Sequence, residues 1–175
     1  MGRDGREGRV PVWSVVGWSG VGKTTLLERL VPALKARGLR VAVVKHDAHQ
    51  FDIDHPGKDT WRMRRAGADV VAIASASRAA VMEERPVALE DLIDRIVGVD
   101  VILTEGAKHG PWRKIALRRG TIDLPPGPWD AIVSDVPMET DVSVFALDDI
   151  PGLADMIEAS ISTPRATSPR AHPFT

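Results

Sequence analysis

Near the start of the chain the run Gly17-Trp18-Ser19-Gly20-Val21-Gly22-Lys23-Thr24 satisfies the pattern G-x-x-x-x-G-K-[ST] at every required position. Its glycines Gly17, Gly20 and Gly22 let the backbone curl, so that successive N–H groups point inward at an anion. The apolar segment Val12-Trp13-Ser14-Val15-Val16 precedes the run and reads as a buried strand, and Thr25-Leu26-Leu27-Glu28-Arg29-Leu30 opens a helix after it. A glycine-rich turn with a solvated lysine would satisfy the letters alone. The flanking strand and helix are the context in which the same letters form a phosphate cradle. Ser19, Gly20, Val21, Gly22 and Thr25 supply its lining, the helix start adds unpaired donors, and the helix dipole adds positive charge. Lys23 can then reach β- and γ-phosphates, while the Thr24 hydroxyl ligates Mg²⁺. The expectation is a chain that binds a nucleoside triphosphate.

At 175 residues the chain suits one core-forming domain. Lys and Arg number 23 against 24 Asp and Glu, a balance that gives no support to a nucleic-acid partner. Cysteine is absent, which excludes disulfides and thiolate metal sites. Residues 1–9 carry no signal-peptide core, and no stretch approaches the ~18 apolar residues of a membrane span. A soluble cytoplasmic protein without a membrane partner is therefore expected.

Residues 1–9 read as a flexible arm, 10–162 as one P-loop nucleotide-binding domain, and 163–175, with three prolines, as a disordered tail. Within the domain, Leu26, Leu27, Leu30 and Leu34 recur at helical spacing, Pro32 predicts a bend and Gly38 a stop. Val41–Val44 predicts a second buried strand, and Asp59 or Thr60 is expected to cap a helix that runs to Ala66. Asp69–Ala74 and Ala79–Glu83 read as a hairpin around Ser75–Arg78. A helix with the apolar face Leu89, Leu92, Ile93 and Ile96 follows, and then strands at 101–103, 115–117 and 131–133. A last helix is expected over Leu153–Ile161. Strands alternating with helices predict an α/β fold, a P-loop NTPase-like three-layer sandwich. Its sheet is mostly parallel with helices on both faces, and the hairpin is an antiparallel extension.

A triphosphate site also needs a carboxylate near the magnesium, at the end of a buried strand beside the P-loop strand. Glu105, after Val101-Ile102-Leu103-Thr104, fits that place, with a solvated loop carboxylate as its rival. The segment from Lys45 to Asp59 holds three histidines, four acids and two lysines after a strand's carboxyl end, where open α/β sheets bind ligands. Zinc is one reading of His46, His49 and His55 with their acids, although the spacing matches no standard zinc motif. The reading preferred here has Asp47 or Asp54 ordering waters on Mg²⁺ and Lys45 or Lys58 meeting phosphate; a merely solvated loop is the third. Arg62 and Arg65, three apart on one helical face, could grip an anionic ligand or partner or simply be solvated. Ser134-Asp135 closes a late strand where an acid can accept the N1 and N2 hydrogens of guanine, which adenine lacks; the common Asn/Thr-Lys-x-Asp form is missing.

Taken together, these residues resemble the MobB family, the adaptor proteins of molybdopterin-guanine dinucleotide biosynthesis. The resemblance covers residues 12–150: the P-loop, Lys45-His46-Asp47-Ala48-His49, Phe51-Asp52-Ile53-Asp54, Pro56–Arg62 with Ala66-Gly67-Ala68, Glu105-Gly106 with Lys108, and Ser134-Asp135. It implies a GTP-binding homodimer with feeble GTPase activity that works beside the guanylyltransferase MobA, with molybdopterin as a further partner. Two positions depart from the family: Ala107 replaces its usual aromatic residue, and Arg113 replaces a proline before Lys114. In this reading GTP and Mg²⁺ are the cofactors. Lys23, Thr24 and Glu105 carry the chemistry, Thr24, Asp47 and Glu105 the metal, and Asp135 the choice of base. The alternatives are a module whose GTP serves another enzyme, a P-loop small-molecule kinase and a metal-insertion GTPase.

Overall fold

The computed structural model describes residues 10–46 and 52–162, so the expected arm and tail lie outside the described residues. The chain divides into two compact units: the residues up to His46 together with those from Ile96 onward, and the insertion Asp47–Arg95.

The larger unit contains β1 (Val12–Val16), α1 (Lys23–Ala36) and β2 (Val41–Lys45), and the insertion contains α2 (Asp59–Arg65), β3 (Val70–Ala74), β4 (Ala79–Glu83) and α3 (Leu89–Asp94). The larger unit resumes with β5 (Val101–Glu105), β6 (Arg113–Leu117), β7 (Ala131–Ser134), β8 (Ser143–Ala146) and α4 (Ile150–Ser162). Its six strands lie in the order β2-β5-β1-β6-β7-β8, and every neighbouring pair is parallel. β1 is thus central, and the chain leaves it for β2 on one side and later strands on the other. This is a P-loop NTPase-like α/β arrangement.

Strand alternation explains the core. Trp13, Val15, Val101, Leu103, Ile115, Leu117, Ala131 and Val133 point to one face and pack with Leu26, Leu27, Leu30 and Leu34 of α1 and Leu153, Ala154 and Ile157 of α4. Each fully buried leucine contributes on the order of 2 kcal/mol. On the opposite face Val16, Ala116 and Ile132 meet Leu124, Trp129, Met138 and Val142. Two polar pairs within the core satisfy each other, while the Trp129 indole nitrogen is buried with no partner among the described residues. The Trp13 indole donates to Ser160 Oγ at 3.0 Å, and the Thr104 hydroxyl donates to Ser14 Oγ at 2.9 Å.

α1 stops as expected. Gly38 adopts φ 79°, its amide donates to the Lys35 carbonyl, and the Leu39 amide donates to the Leu34 carbonyl, a Schellman closure.

Several boundaries differ from the sequence expectation. Asp59 is the first residue of α2 rather than its cap, and Thr60 turns its hydroxyl to Asp54 Oδ1 at 2.9 Å. α3 ends before Ile96, and α4 begins at Ile150, where Asp149 Oδ1 accepts the Gly152 amide at 3.0 Å. The edge strand β8 is absent from the sequence reading. β3 and β4 form the expected hairpin, closed by Ser75 Oγ accepting from the Ser77 and Arg78 amides, but they make a two-stranded sheet of their own. Among the described residues no helix is long and apolar enough to cross a membrane.

Candidate functional site

The residues between β1 and α1 form a loop whose shape depends on glycine. Gly20 and Gly22 have φ of 76° and 107°, the left-handed region that side chains disfavour. Gly22 is the N-cap of α1, no side chain caps that end, and its first turn holds no acid. The leading amides of α1 are therefore left for an outside acceptor. The Lys23 ammonium arches back over the loop entry, donating to the Gly17 carbonyl at 3.1 Å and the Trp18 carbonyl at 3.0 Å. The result is an anion cradle with a cation at its mouth.

β5 brings the carboxylate. Glu105 pairs in register with Val15 on one side and Lys45 on the other, and the His46 amide donates to its carbonyl at 3.0 Å. Gly106 then turns the chain away with φ 89°. A Cβ there would lie 3.1 Å from the His46 carbonyl oxygen. The Thr24 hydroxyl lies 3.0 and 2.9 Å from the two Glu105 carboxylate oxygens. Neighbouring ligands of an octahedral Mg²⁺ stand about 3.0 Å apart at its usual bond length. A neutral and an anionic hard oxygen at that spacing fit magnesium and do not resemble a zinc set. Lys23, Thr24 and Glu105 thus gather at the carboxyl end of the strands, where Lys45 is the ladder neighbour of Glu105.

Next in the chain comes Ala107, which stands where the family usually has an aromatic residue. It is buried, it holds φ 56°, and its carbonyl accepts the Gly110 amide at 2.9 Å. The following Lys108 sets its ammonium 5.0 Å from the centre of the Trp18 ring, a cation–π contact between the cradle and the loop after β5. Trp18 occupies an unrestricted place in the pattern, so sequence spacing gives no sign of that contact. Lys114, behind its substituted Arg113, donates to the Gly110 and Trp112 carbonyls.

Ser134 is buried, and its hydroxyl donates to the Val136 carbonyl at 2.8 Å and accepts the Val136 amide at 3.1 Å, locking the end of β7. Asp135 follows at the same sheet edge, with Oδ2 accepting the Gly120 amide at 2.8 Å. The remaining candidates belong to the insertion. Asp54 Oδ1 accepts from Thr60 and the His55 amide, while Oδ2 is buried with no partner among the described residues. Arg62 faces Asp59 at 3.9 Å, Arg65 lies over the Trp61 ring, and Lys58 is the exposed N-cap of α2. Asp47 and His49 lie outside the described residues. Among those described, no group of three or more His, Asp or Glu is arranged to hold a metal.

The sequence did not single out Arg119, whose place after a strand carries no signal until β6 is seen to lie beside β1. Its guanidinium comes 3.6 Å from where a Cβ on Gly22 would stand.

The family model described as molybdopterin guanine dinucleotide synthesis protein B matches residues 12–131. A molybdopterin-guanine dinucleotide biosynthesis adapter protein of Escherichia coli (strain K12) is 41% identical over 160 residues, 85% of this chain and 91% of the relative. The protein of the same description from Haemophilus influenzae is 41% identical over 159 residues, 86% of this chain and 89% of the relative. The crystal structure of Bacillus subtilis MobB superposes with a TM-score of 0.72 at 28% identity, covering 85% of this chain and 96% of that one.

Proposed function

The chain belongs to the MobB family of molybdopterin-guanine dinucleotide biosynthesis adapter proteins, and from that premise we propose that it binds Mg²⁺-GTP, hydrolyses it slowly, and serves as adapter to the guanylyltransferase MobA in the cytoplasm. The observation that carries the nucleotide reading is the Thr24–Glu105 pair at the mouth of the uncapped α1. Lys23 and the loop amides stabilise the charge that develops on the phosphates. Thr24 and Glu105 hold Mg²⁺, which neutralises phosphate charge when bound. Asp135 accepts the N1 and N2 hydrogens of guanine while the Gly120 amide steadies its other side. The reading assigns no residue to orient the attacking water. Positioning supplies most of the catalysis in this class, so turnover is slow and the adapter role leads.

The proposal includes a homodimer, with molybdopterin as a further partner. The insertion supports the first: Val70, Ile73 and Val81 of the hairpin are all more than half exposed, and both hairpin edges lack a strand partner among the described residues. Light scattering should accordingly give twice the chain mass.

Calorimetry with GTP and ATP tests the central reading. GTP is expected to bind, with ATP at least tenfold weaker, and Lys23→Ala should weaken GTP by at least tenfold, about 1.4 kcal/mol. Equal affinity for both nucleotides would remove the guanine assignment. Unchanged affinity in Lys23→Ala would remove the cradle.

A further inference from the structure

We propose that Arg119 is a nucleotide-contacting residue, a second cation that reaches the cradle from the loop after β6 and holds the nucleotide on the side away from the metal. This rests on the reading of the cradle as a nucleotide site.

Three features place it there. First, β6 pairs with β1 on the side opposite β5. A residue just beyond β6 therefore approaches the cradle from the flank that the Thr24–Glu105 pair does not occupy. Second, the loop is held. Arg119 and Ile122 bond each other through their backbones, the Arg118 amide donates to the Val133 carbonyl at 2.9 Å, and Asp135 Oδ2 takes the Gly120 amide. Third, the Arg119 side chain lines a recess with Val21, Gly22, Thr25, Leu26 and Leu147, so it stands against the start of α1.

The electrostatics here favour an anion. The start of α1 is the positive end of its dipole, with uncapped amides and no acid in the first turn. A guanidinium beside it adds like charge. Neighbouring arginines have found acceptors: Arg29 donates to the Leu147 carbonyl at 3.0 Å, and Arg118 lies 3.8 Å from Asp123. Arg119, an exposed residue, has neither a hydrogen bond nor an ion pair from its side chain among the described residues, so its guanidinium is free to meet a ligand. An anion between guanidinium and amides satisfies both, and Arg suits phosphate through its planar fork of donors. Because the metal and the γ-phosphate end belong to the Glu105 flank, the contact serves the nucleoside end, where GTP and GDP are alike.

Titration calorimetry of GTP and GDP against the full-length wild type, Arg119→Ala, Arg119→Lys and Lys23→Ala, with thermal melting of each without nucleotide, tests the assignment. Arg119→Ala should weaken GTP and GDP by the same factor, roughly tenfold. Arg119→Lys should recover part of that loss, and the melting temperature without nucleotide should stay unchanged. Wild-type affinity in Arg119→Ala alongside a weakened Lys23→Ala overturns this inference and leaves the nucleotide site standing. Loss for GTP alone overturns the flank assignment. A lowered melting temperature with no rescue by lysine makes the residue a packing prop and overturns the contact. A wild type that binds neither nucleotide removes the proposed function itself.

Discussion

Gly17 and Gly20 sit in the same loop but are glycine for different reasons. At Gly17 a Cβ would fall 2.8 Å from Val21 Cγ1 and 3.1 Å from the Leu117 carbonyl oxygen, and Val21 is itself fully buried. At Gly20 a Cβ would meet nothing within 4 Å, and only the backbone at φ 76° objects. Gly17→Ala should therefore cost the folded state about 1–3 kcal/mol by overpacking, whereas Gly20→Ala should cost about 1 kcal/mol of left-handed strain. Urea unfolding of the two variants separates these figures, and an equal cost would mean that the recess at Gly17 yields freely. At this scale the sequence was readable where a residue type is dictated by chemistry: Lys23, Thr24 and Glu105 all stand where their spacing puts them. Arg119 was not, because an arginine after a strand carries no message until its neighbours are known. Thr60 misled for a related reason, since its hydroxyl had two partners within reach and took Asp54 over the helix start.

Elements announced by periodicity and flanked by clear stops were legible, as β1, α1 and the hairpin show. Those with mixed signals were not. β8 places Ser143, Val144 and Ala146 in the open, so its short edge lacks the apolar run that marks its buried neighbours. α4 hides its beginning behind Pro151-Gly152, letters that usually end a helix. A proline in a first turn loses only an amide that would be unpaired anyway, so the helix tolerates it there. The signal was Asp149, whose carboxylate caps the turn through the Gly152 amide. Asp149→Ala should lower stability by about 1 kcal/mol without touching nucleotide affinity. A drop in the urea midpoint with unchanged calorimetry is the expected pair of results, and an unmoved midpoint would show that the cap is idle.

Across the whole molecule, burial is unevenly shared. The buried hydrophobic residues lie almost all in the larger unit, and among those described the insertion contributes only Val71 and Ile93. The insertion leans instead on charge: Arg64 bridges Asp52 at 3.0 Å and Glu84 at 3.5 Å, and Glu83 is held by Arg85 and Arg95. The Asp54 amide and then Arg64 hold the Asp52 carboxyl below its ordinary value. Burial pushes Glu83 up, but the Arg95 hydrogen bond and the charges of Arg85 and Arg95 outweigh it, and the net shift is downward. A carboxyl whose folded pKa is depressed stabilises the fold above its unfolded value and loses that contribution as pH falls through the folded one. The insertion should thus weaken as pH drops below about 4, and Asp52→Asn should flatten that dependence. Nuclear magnetic resonance of the insertion's amides between pH 6 and pH 3 measures it, and identical acid profiles for variant and wild type would rule Asp52 out.

The strand order has a consequence for how the protein is made. β1 and β2 have no neighbour in the first half of the chain: Val12 waits for Ile102, Trp13 for Arg113, and Val41 for Val101. The hairpin needs only residues within its own stretch. On the ribosome the hairpin can therefore form while β1 and β2 are still unpartnered. Lys23 and Thr24 emerge early, but the site proposed for guanine nucleotide is complete only once Glu105, and later Asp135, have cleared the exit tunnel.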